Sequence, residues 1–321
     1  MTQRFIRTLP GASIPLPTWV GLREAVHVFD EASVLALNAA LATGRPLLVR
    51  GEPGTGKSQL ARAAAADLAR VFLVHTVDAH TETRDILWNL DAISRLAEAQ
   101  LQGALRPGDA ADAREAVEVR RFVEPRSLWW AFDWEHARKQ ATLVRHSEPE
   151  RPEGWDPARG AVLLIDEIDK ADPSVPNGLL DALGNERFDT PVGVVTAKCR
   201  PLVVITTNEE RALPDAFLRR CLVLPLALPT ARDELLALLV ARGKAHDAGW
   251  DTRVLWRAAE LLADDRAALA NLDLALPGTA EYLDLLRAVT VQLPGDIPAQ
   301  LALLEKVARF ALRKHPAGTA R

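Results

Sequence analysis

The sequence predicts an α/β protein that has a parallel-sheet core with a phosphate-binding loop, followed by a smaller helical domain. Three observations predict this fold class. A glycine-rich loop joins an apolar segment at 46–49 to a helix-forming segment at 59–70. A second apolar segment ends in Asp166 and Glu167, and helical periodicity replaces strand-like runs after Pro229. Apolar strands that alternate with helices are typical of a parallel sheet with helices on its faces.

The loop itself, residues 51–58, matches the pattern G-x-x-x-x-G-K-[ST] of phosphate-binding loops. Its glycines let the backbone curve around phosphate oxygens, so that N–H groups point inward at the N-terminus of the following helix. Lys57 is predicted to contact the β- and γ-phosphates, and Ser58 to ligate Mg²⁺. An ordinary strand-to-helix turn is the alternative, but the flanks on both sides favour the binding loop. The predicted nucleotide-binding residues are Gly51, Glu52, Pro53, Gly54, Thr55, Gly56, Lys57, Ser58 and Gln59.

The adjacent acids Asp166 and Glu167, called the acidic pair below, are further candidate residues of this site. The apolar residues at 161–165 predict a central strand that is buried on both faces. Asp166, at the C-terminal end of this strand, is placed to hold the Mg²⁺ shell. Glu167 is placed to polarise a water for attack on the γ-phosphate, which favours hydrolysis over transfer to another substrate. A strand that ends in solvated acids is the alternative, and the upstream loop disfavours it.

Two later segments supply further candidates. The apolar strand at 202–207 ends at Asn208, whose amide can hydrogen-bond the γ-phosphate or the attacking water, although Asn is also common at strand ends for turn reasons. Arg219 and Arg220 end a short helix before another apolar strand at 221–226. An arginine near a subunit boundary can reach a neighbour's γ-phosphate, whereas the alternative is a pair of cations that suit the helix dipole. Arg220 is the favoured residue of the pair.

The order of these motifs resembles that of AAA+ ATPases, and the sequence at 163–171 and 213–221 is similar to that of the MoxR-type branch. The resemblance covers roughly residues 25–315. It implies a P-loop NTPase core with a five-stranded parallel sheet of order 5-1-4-3-2, a helical lid, and a ring that is usually hexameric. It also implies that ATP and Mg²⁺ bind between subunits, that Arg220 acts on the next protomer, and that a client protein or a von Willebrand factor A domain partner is remodelled.

One departure from the family concerns the lid. The family usually carries a second sensing arginine at the start of the third lid helix, and the corresponding stretch 276–282 has none. Arg287 lies two turns further on and is not counted as a site residue. We therefore expect altered coupling between nucleotide state and lid movement.

The stretch 84–88 resembles the loop that faces the central pore of the ring.

The domain organisation follows from these motifs. A lead-in at 1–30 precedes the nucleotide-binding core at 31–229, which carries an insertion at about 89–160, and the helical lid spans 230–321. The insertion holds a tryptophan-rich segment at 128–134, for which packing as a satellite core is favoured over exposed anchors for a partner. Asp30 is predicted to cap a helix at 31–43, and a capping box is predicted at 230–233. Other predicted helices span 89–104, 253–264, 279–291 and 298–314.

Composition narrows the class of protein further. The chain has 321 residues and a formal net charge of −4, which gives no reason to expect bulk nucleic-acid binding. No apolar stretch approaches the ~18–20 residues of a membrane helix, and the first residues lack the apolar core of a signal peptide. The two cysteines offer no disulfide framework, so a cytoplasmic protein is expected.

Other function classes stay open at this stage. A nucleotide-gated regulatory switch with slow hydrolysis is credible because the sensing arginine is missing. A DNA-acting motor shares the same core, but no DNA-binding domain is visible in this length. A small-molecule kinase is the weakest alternative, because Glu167 and the arginine pair have no evident task there.

Overall fold

The structure is a computed structural model that describes residues 5–16, 18, 21, 24–105, 115–270 and 274–312. Its strands fall into one five-stranded sheet and three two-stranded hairpins or ribbons. In chain order the strands are β1 Ser13–Leu16, β2 Ala25–Val28, β3 Leu47–Arg50, β4 Val71–Thr76, β5 Trp88–Leu90, β6 Val123–Pro125, β7 Ala161–Asp166, β8 Arg187–Thr190, β9 Gly193–Thr196, β10 Leu202–Thr207 and β11 Leu222–Pro225.

The α-helices that the structure describes with both ends alternate with these strands in the first part of the chain and follow one another in the last part. In chain order they are α1 Glu31–Thr43, α2 Lys57–Leu68, α3 Thr83–Leu87, α4 Ala92–Leu105, α5 Ser127–Phe132, α6 Trp134–Leu143, α7 Ser174–Asn185, α8 Asp215–Leu218, α9 Arg232–His246, α10 Thr252–Leu269, α11 Thr279–Gln292 and α12 Ile297–Ala311.

The central sheet has the order β11-β3-β10-β7-β4, which confirms the predicted order 5-1-4-3-2. β7 pairs in parallel with β4 and with β10, so that Leu164 lies opposite both Val74 and Val204. The residues of β7 from Ala161 to Ile165 are buried, as expected for a strand that is covered on both faces. Asp166 is therefore held at the carboxyl end of a rigid central strand.

Two compact units account for the described residues. One comprises those in Met1–Arg7, Leu35–Leu48 and Ala64–Val223, and the other those in Thr8–Val34, Val49–Ala63 and Leu224–Arg321. The first unit contains the acidic pair and the insertion, and the second contains the phosphate loop and the C-terminal helices.

Inside the first unit, the tryptophan-rich segment forms a satellite core. Trp129, Trp130 and Trp134 are buried, which confirms the predicted packing. The ring centroids of Trp134 lie 4.9 Å from those of Trp130 and 4.7 Å from those of Trp155. These edge-on contacts join the rings of Trp130, Trp134 and Trp155, and the segment, which the structure describes throughout, presents no exposed tryptophan.

The second unit has its own apolar core, formed where α9, α10, α11 and α12 pack together. Tyr282 is fully buried there, and its hydroxyl donates a hydrogen bond to the carbonyl of Leu255 at 3.2 Å. β1 and β2 form an antiparallel hairpin in the same unit, which the sequence did not predict.

The structure confirms one predicted helix cap and corrects several other predictions of helix caps and boundaries. The cap of α1 is confirmed, since the Asp30 carboxylate accepts from the Ser33 N–H at 2.6 Å. The capping box at 230–233 is wrong, because α9 begins one residue too late for Thr230 to be its cap. The helix predicted at 89–104 begins only after Asp91, which caps α4 through the Ser94 N–H. Residues 88–90 instead form β5, paired with β6. The C-terminal helix ends at 311, and position 314 lies outside the described residues.

Candidate functional site

The phosphate loop connects β3 to α2, as the sequence predicted. Gly51, Gly54 and Gly56 have φ angles of +151°, +75° and +103°, a range in which glycine is favoured over other residues. The Thr55 hydroxyl donates to the carbonyl of Glu52 at 2.9 Å and closes the turn from within. The curvature of the loop is thus set by its backbone and by one short side chain.

Lys57 lies almost entirely inside this loop. Its side chain is only 7% exposed, and its ammonium donates to the carbonyls of Gly51 at 2.7 Å and Glu52 at 2.9 Å. The positive charge is therefore fixed by the loop that it is predicted to serve. Ser58 and Gln59 follow in the first turn of α2 and are partly buried.

The loop touches the N-terminal end of α11 within the same unit. The Ala280 N–H donates to the Gly54 carbonyl at 3.3 Å, and a Cβ at Gly278 would lie 2.9 Å from that carbonyl group. Only a glycine at 278 permits so close an approach. This is the stretch in which the family's sensing arginine was expected, and these contacts with the loop are made by its backbone.

Arg266, on α10, is a loop contact that the sequence did not predict. Its guanidinium is ion-paired with the Glu52 carboxylate at 3.0 Å and donates to the Pro277 carbonyl at 2.8 Å. The side chain of Arg266 is only 12% exposed, whereas that of Glu52 is 43% exposed. No motif marks Arg266, because it stands 214 positions from its partner.

Arg287 has a different environment. It is ion-paired with Asp284 at 3.7 Å and lines an open cavity of about 590 Å³ with His246 and Trp250. No residue of the phosphate loop lines that cavity. Among the lid arginines of the described chain, Arg266 rather than Arg287 is the one that bonds to the loop.

Within the first unit, Thr206 organises the acidic pair. The Thr206 hydroxyl donates to Asp166 Oδ1 at 2.6 Å and accepts from the Glu167 N–H at 2.9 Å. Glu167 has a left-handed backbone with φ of +61°, so the chain turns sharply between the two acids. Thr206 thereby fixes both acids from the neighbouring strand β10.

The Glu167 carboxylate contacts two polar side chains. Asn208 Nδ2 donates to Glu167 Oε1 at 3.0 Å, and Lys170 Nζ is ion-paired with Glu167 Oε2. The hydrogen bond and the charge of Glu167 raise the pKa of Lys170 above its usual value. The structure thus brings the predicted residue Asn208 against the predicted base, and adds Lys170 to the pair.

A buried carboxylate supports the end of β10. Asp169 is 2% exposed and accepts from the backbone N–H groups of Asn208 at 3.2 Å and Glu210 at 2.9 Å. These bonds hold Asn208 in place beside Glu167. We call Asp166, Glu167, Asp169, Lys170, Thr206 and Asn208 the acid cluster.

Arg220 lies on the surface of the same unit as the acid cluster. Its guanidinium donates to the Ala216 carbonyl at 3.4 Å and lines a cavity of about 510 Å³ with α7 residues that include Asp181 and Asn185. Within the described part of the chain, no hydrogen bond or ion pair joins Arg220 to the acid cluster. The predicted catalytic residues therefore form separate groups rather than one cluster in this unit.

The predicted pore-facing stretch 84–88 lies largely in α3, and Ile86 is fully buried. Trp88, which follows α3, donates from its indole nitrogen to the Asp189 carbonyl at 3.1 Å.

None of the described helices is long and apolar enough to cross a membrane.

Comparison with known proteins gives a family match. Residues 46–221, more than half of the chain, match the family model described as AAA domain (dynein-related subfamily). Two Nif-specific regulatory proteins from Rhodobacter capsulatus are each 27% identical over 248 residues, which covers 72% of this chain and 34% of each relative. The chain therefore spans about a third of the length of these relatives. A solved structure of a "putative ATPase" from Cytophaga hutchinsonii aligns with a TM-score of 0.37 at 12% identity, over 80% of this chain and 57% of that one.

Proposed function

This chain belongs to the AAA domain family, in its dynein-related subfamily, and from that premise we propose that it is a Mg²⁺-dependent ATP hydrolase of the MoxR type. The observation that carries the proposal is the contact of Thr206 with Asp166 and Glu167, which orders two acids at the end of the central strand. An acid next to the predicted metal ligand can take a proton from water, which a binding module would not need.

The phosphate loop fits the triphosphate of ATP. Backbone N–H groups at the start of α2 carry partial positive charge, and the buried ammonium of Lys57 adds a full one. Both groups favour the anionic oxygens of the β- and γ-phosphates. We propose that residues 51–59 hold the substrate in this way.

Mg²⁺ fits the donor chemistry of the proposed ligands. Ser58 offers a hydroxyl and Asp166 a carboxylate, and oxygen donors of this kind are those that Mg²⁺ prefers. When bound, the ion neutralises charge on the β- and γ-phosphate oxygens. Thr206 contributes by holding Asp166 Oδ1 in a fixed orientation.

Glu167 is the proposed general base. Its carboxylate accepts a proton from the water that attacks the γ-phosphorus, while the bond between the γ-phosphorus and the bridging oxygen breaks and ADP leaves. Asn208 contacts Glu167 Oε1 and is placed to report on the γ-phosphate. Because Lys170 also contacts this carboxylate, its positive charge lowers the basicity of Glu167 while the ion pair is formed.

We further propose that the chain works as a ring, hexameric as in the MoxR branch, with Arg220 completing the site of the next protomer. The exposed guanidinium of Arg220 supports this assignment, since it is not used within its own acid cluster. ATP turnover would then remodel or activate a protein partner, for which a von Willebrand factor A domain protein is the family-based candidate. The two free thiols suit a cytoplasmic protein.

The test uses Glu167→Gln, which keeps the shape of the side chain and removes its basicity. We expect phosphate release to fall by roughly two to four orders of magnitude, the share that a positioned base contributes. The matched control is Glu153→Gln, an exposed acid on the loop before β7, which should hydrolyse ATP like the wild type. Wild-type turnover in Glu167→Gln would refute the assignment.

A nucleotide-gated regulatory switch is the second candidate. The ion pair of Lys170 with Glu167 favours it, because a base that is engaged by a cation is held back from proton transfer. The names of the Rhodobacter capsulatus relatives also describe regulatory proteins. In the same assay, a switch would release phosphate slowly, still through Glu167, and would accelerate when its partner is added.

A further inference from the structure

Arg45 makes an unusual set of backbone contacts in the first unit. It lies in the connection between α1 and β3, far in sequence from the arginine pair. Its Nη2 atom donates to the carbonyls of Arg219 at 2.5 Å and Cys221 at 3.0 Å, and its Nε atom donates to that of Arg220 at 3.1 Å. One guanidinium thus binds three consecutive carbonyls.

These carbonyls follow the short helix α8, where backbone acceptors have no partner within the helix. A planar guanidinium with donors in a fixed fork can satisfy all three only if the backbone holds one conformation. The three bonds therefore fix the backbone from which the Arg220 side chain projects.

The nearby thiol does not explain the contacts. Burial raises the pKa of Cys221 to about 11, so the thiol is neutral at physiological pH and offers Arg45 no charge to pair with. Arg45 bonds to the carbonyl of Cys221 instead. Its contacts are directed to the backbone on both sides of Arg220.

The surroundings of Arg45 and Arg220 are basic. Both side chains line one cavity of about 400 Å³, together with Arg200 and Arg219. Arg200 is ion-paired with Glu186, whereas Arg45, Arg219 and Arg220 form no ion pair with any residue that the structure describes. Because the Arg45 guanidinium is engaged by backbone carbonyls, the groups that suit an anion from another molecule are those of Arg219 and Arg220.

We infer that Arg45 is a positioning residue that orients Arg220 toward the nucleotide of a neighbouring subunit. The inference rests on the proposed function, in which Arg220 acts in trans. In that arrangement a misplacement of about 1 Å is enough to cost roughly a hundredfold in rate. Arg45 needs no contact with the nucleotide to have this effect.

The test is subunit mixing. Arg45→Ala, Arg220→Ala and Lys57→Ala proteins are assayed alone and in pairs for ATP hydrolysis. Alone, Arg45→Ala should lose roughly 10- to 100-fold in kcat. Mixed with Lys57→Ala, it should regain activity, because it keeps its own phosphate loop and receives a correctly placed Arg220 from the partner. A merely destabilised protein would lose its own ATP binding and would not be rescued.

Further variants sharpen the outcome. Arg45→Lys should recover only part of the rate, because one ammonium cannot serve three carbonyls, and the double variant Arg45→Ala/Arg220→Ala should be no slower than Arg220→Ala. The control Arg138→Ala removes an exposed, ion-paired arginine of α6 and should match the wild type. If Arg220→Ala is rescued by mixing but Arg45→Ala has a normal rate or is not rescued, the inference about Arg45 is overturned. If Arg220→Ala itself is not rescued, the trans role falls and the inference falls with it.

Discussion

The phosphate loop and the acid cluster are held in place by different means. The loop is shaped by its backbone, with three glycines at positive φ and with carbonyls that accept bonds from Lys57 and Thr55. The acid cluster is ordered by side chains, above all by the Thr206 hydroxyl. The two regions also belong to different compact units.

Single substitutions should therefore act differently in the two regions. A backbone-built loop keeps its shape when a side chain on its rim is shortened, whereas a network of side chains loses its geometry when one member is removed. We therefore expect substitutions in the acid cluster, apart from the proposed metal ligand Asp166, to reduce turnover and leave ATP affinity intact. Substitutions at the rim of the loop should change stability or affinity by smaller amounts.

After Glu167→Gln, the largest effect on turnover is expected at Thr206. Thr206→Val keeps the volume but removes the hydroxyl that bonds to Asp166 and to the Glu167 N–H. Lost bonds to a charged group and a buried N–H cost about 1–3 kcal/mol of folding free energy. Because both acids lose their fixed position, we also expect kcat to fall roughly 10- to 100-fold. Phosphate release and chemical denaturation measure the two effects.

Thr207→Val is the matched control for Thr206. Thr207 lies next along β10, is equally buried, and its hydroxyl accepts from the Glu209 N–H rather than touching an acid of the cluster. This variant should lose some stability and keep its kcat. Equal losses of kcat in the two variants would contradict a specific role of the Thr206 hydroxyl. They would indicate that turnover depends only on the general integrity of the end of β10.

A smaller effect is expected at Arg266, on the rim of the loop. Arg266→Ala removes the ion pair with Glu52 and the bond to the Pro277 carbonyl. Because Glu52 is substantially exposed, the ion pair itself contributes little, and we expect a total loss of about 1–2 kcal/mol of unfolding free energy. ATP affinity should change by less than about tenfold.

A double-mutant cycle with Glu52→Gln isolates the ion pair. The control is Arg232→Ala, because Arg232 and Asp264 form an ion pair with both side chains about half exposed, which should contribute still less. A larger loss from Arg232→Ala than from Arg266→Ala would contradict the view that Arg266 ties the loop to the helical segment.

Local sequence patterns predicted those parts of the site whose chemistry requires particular residue types at a fixed short spacing in the chain. The glycines and lysine of the loop, and the adjacent pair Asp166 and Glu167, could be located because phosphate and metal binding require those residue types at that spacing. The parallel sheet followed from buried apolar runs. The cap at Asp30 followed from its position before a helical run.

The rest could not be predicted because it depends on pairings between distant residues. Thr206 meets Asp166 across 40 positions through the register of β7 and β10, and Arg266 meets Glu52 across 214. Arg45 reaches the chain around Arg220 from 175 positions away. The strand β5 was missed because its residues resemble a helix in isolation and are fixed only by pairing with β6.

The most direct test of the account compares ATP binding by Lys57→Ala and Glu167→Gln, measured at equilibrium with Mg²⁺ present. The phosphate loop is assigned to ATP binding and the acid cluster to turnover. This division of roles predicts that Lys57→Ala weakens binding by at least about tenfold, or ~1.4 kcal/mol, while Glu167→Gln binds ATP within about twofold of the wild type and releases phosphate roughly two to four orders of magnitude more slowly. Equal loss of binding in both variants, or undiminished phosphate release from Glu167→Gln, would contradict it.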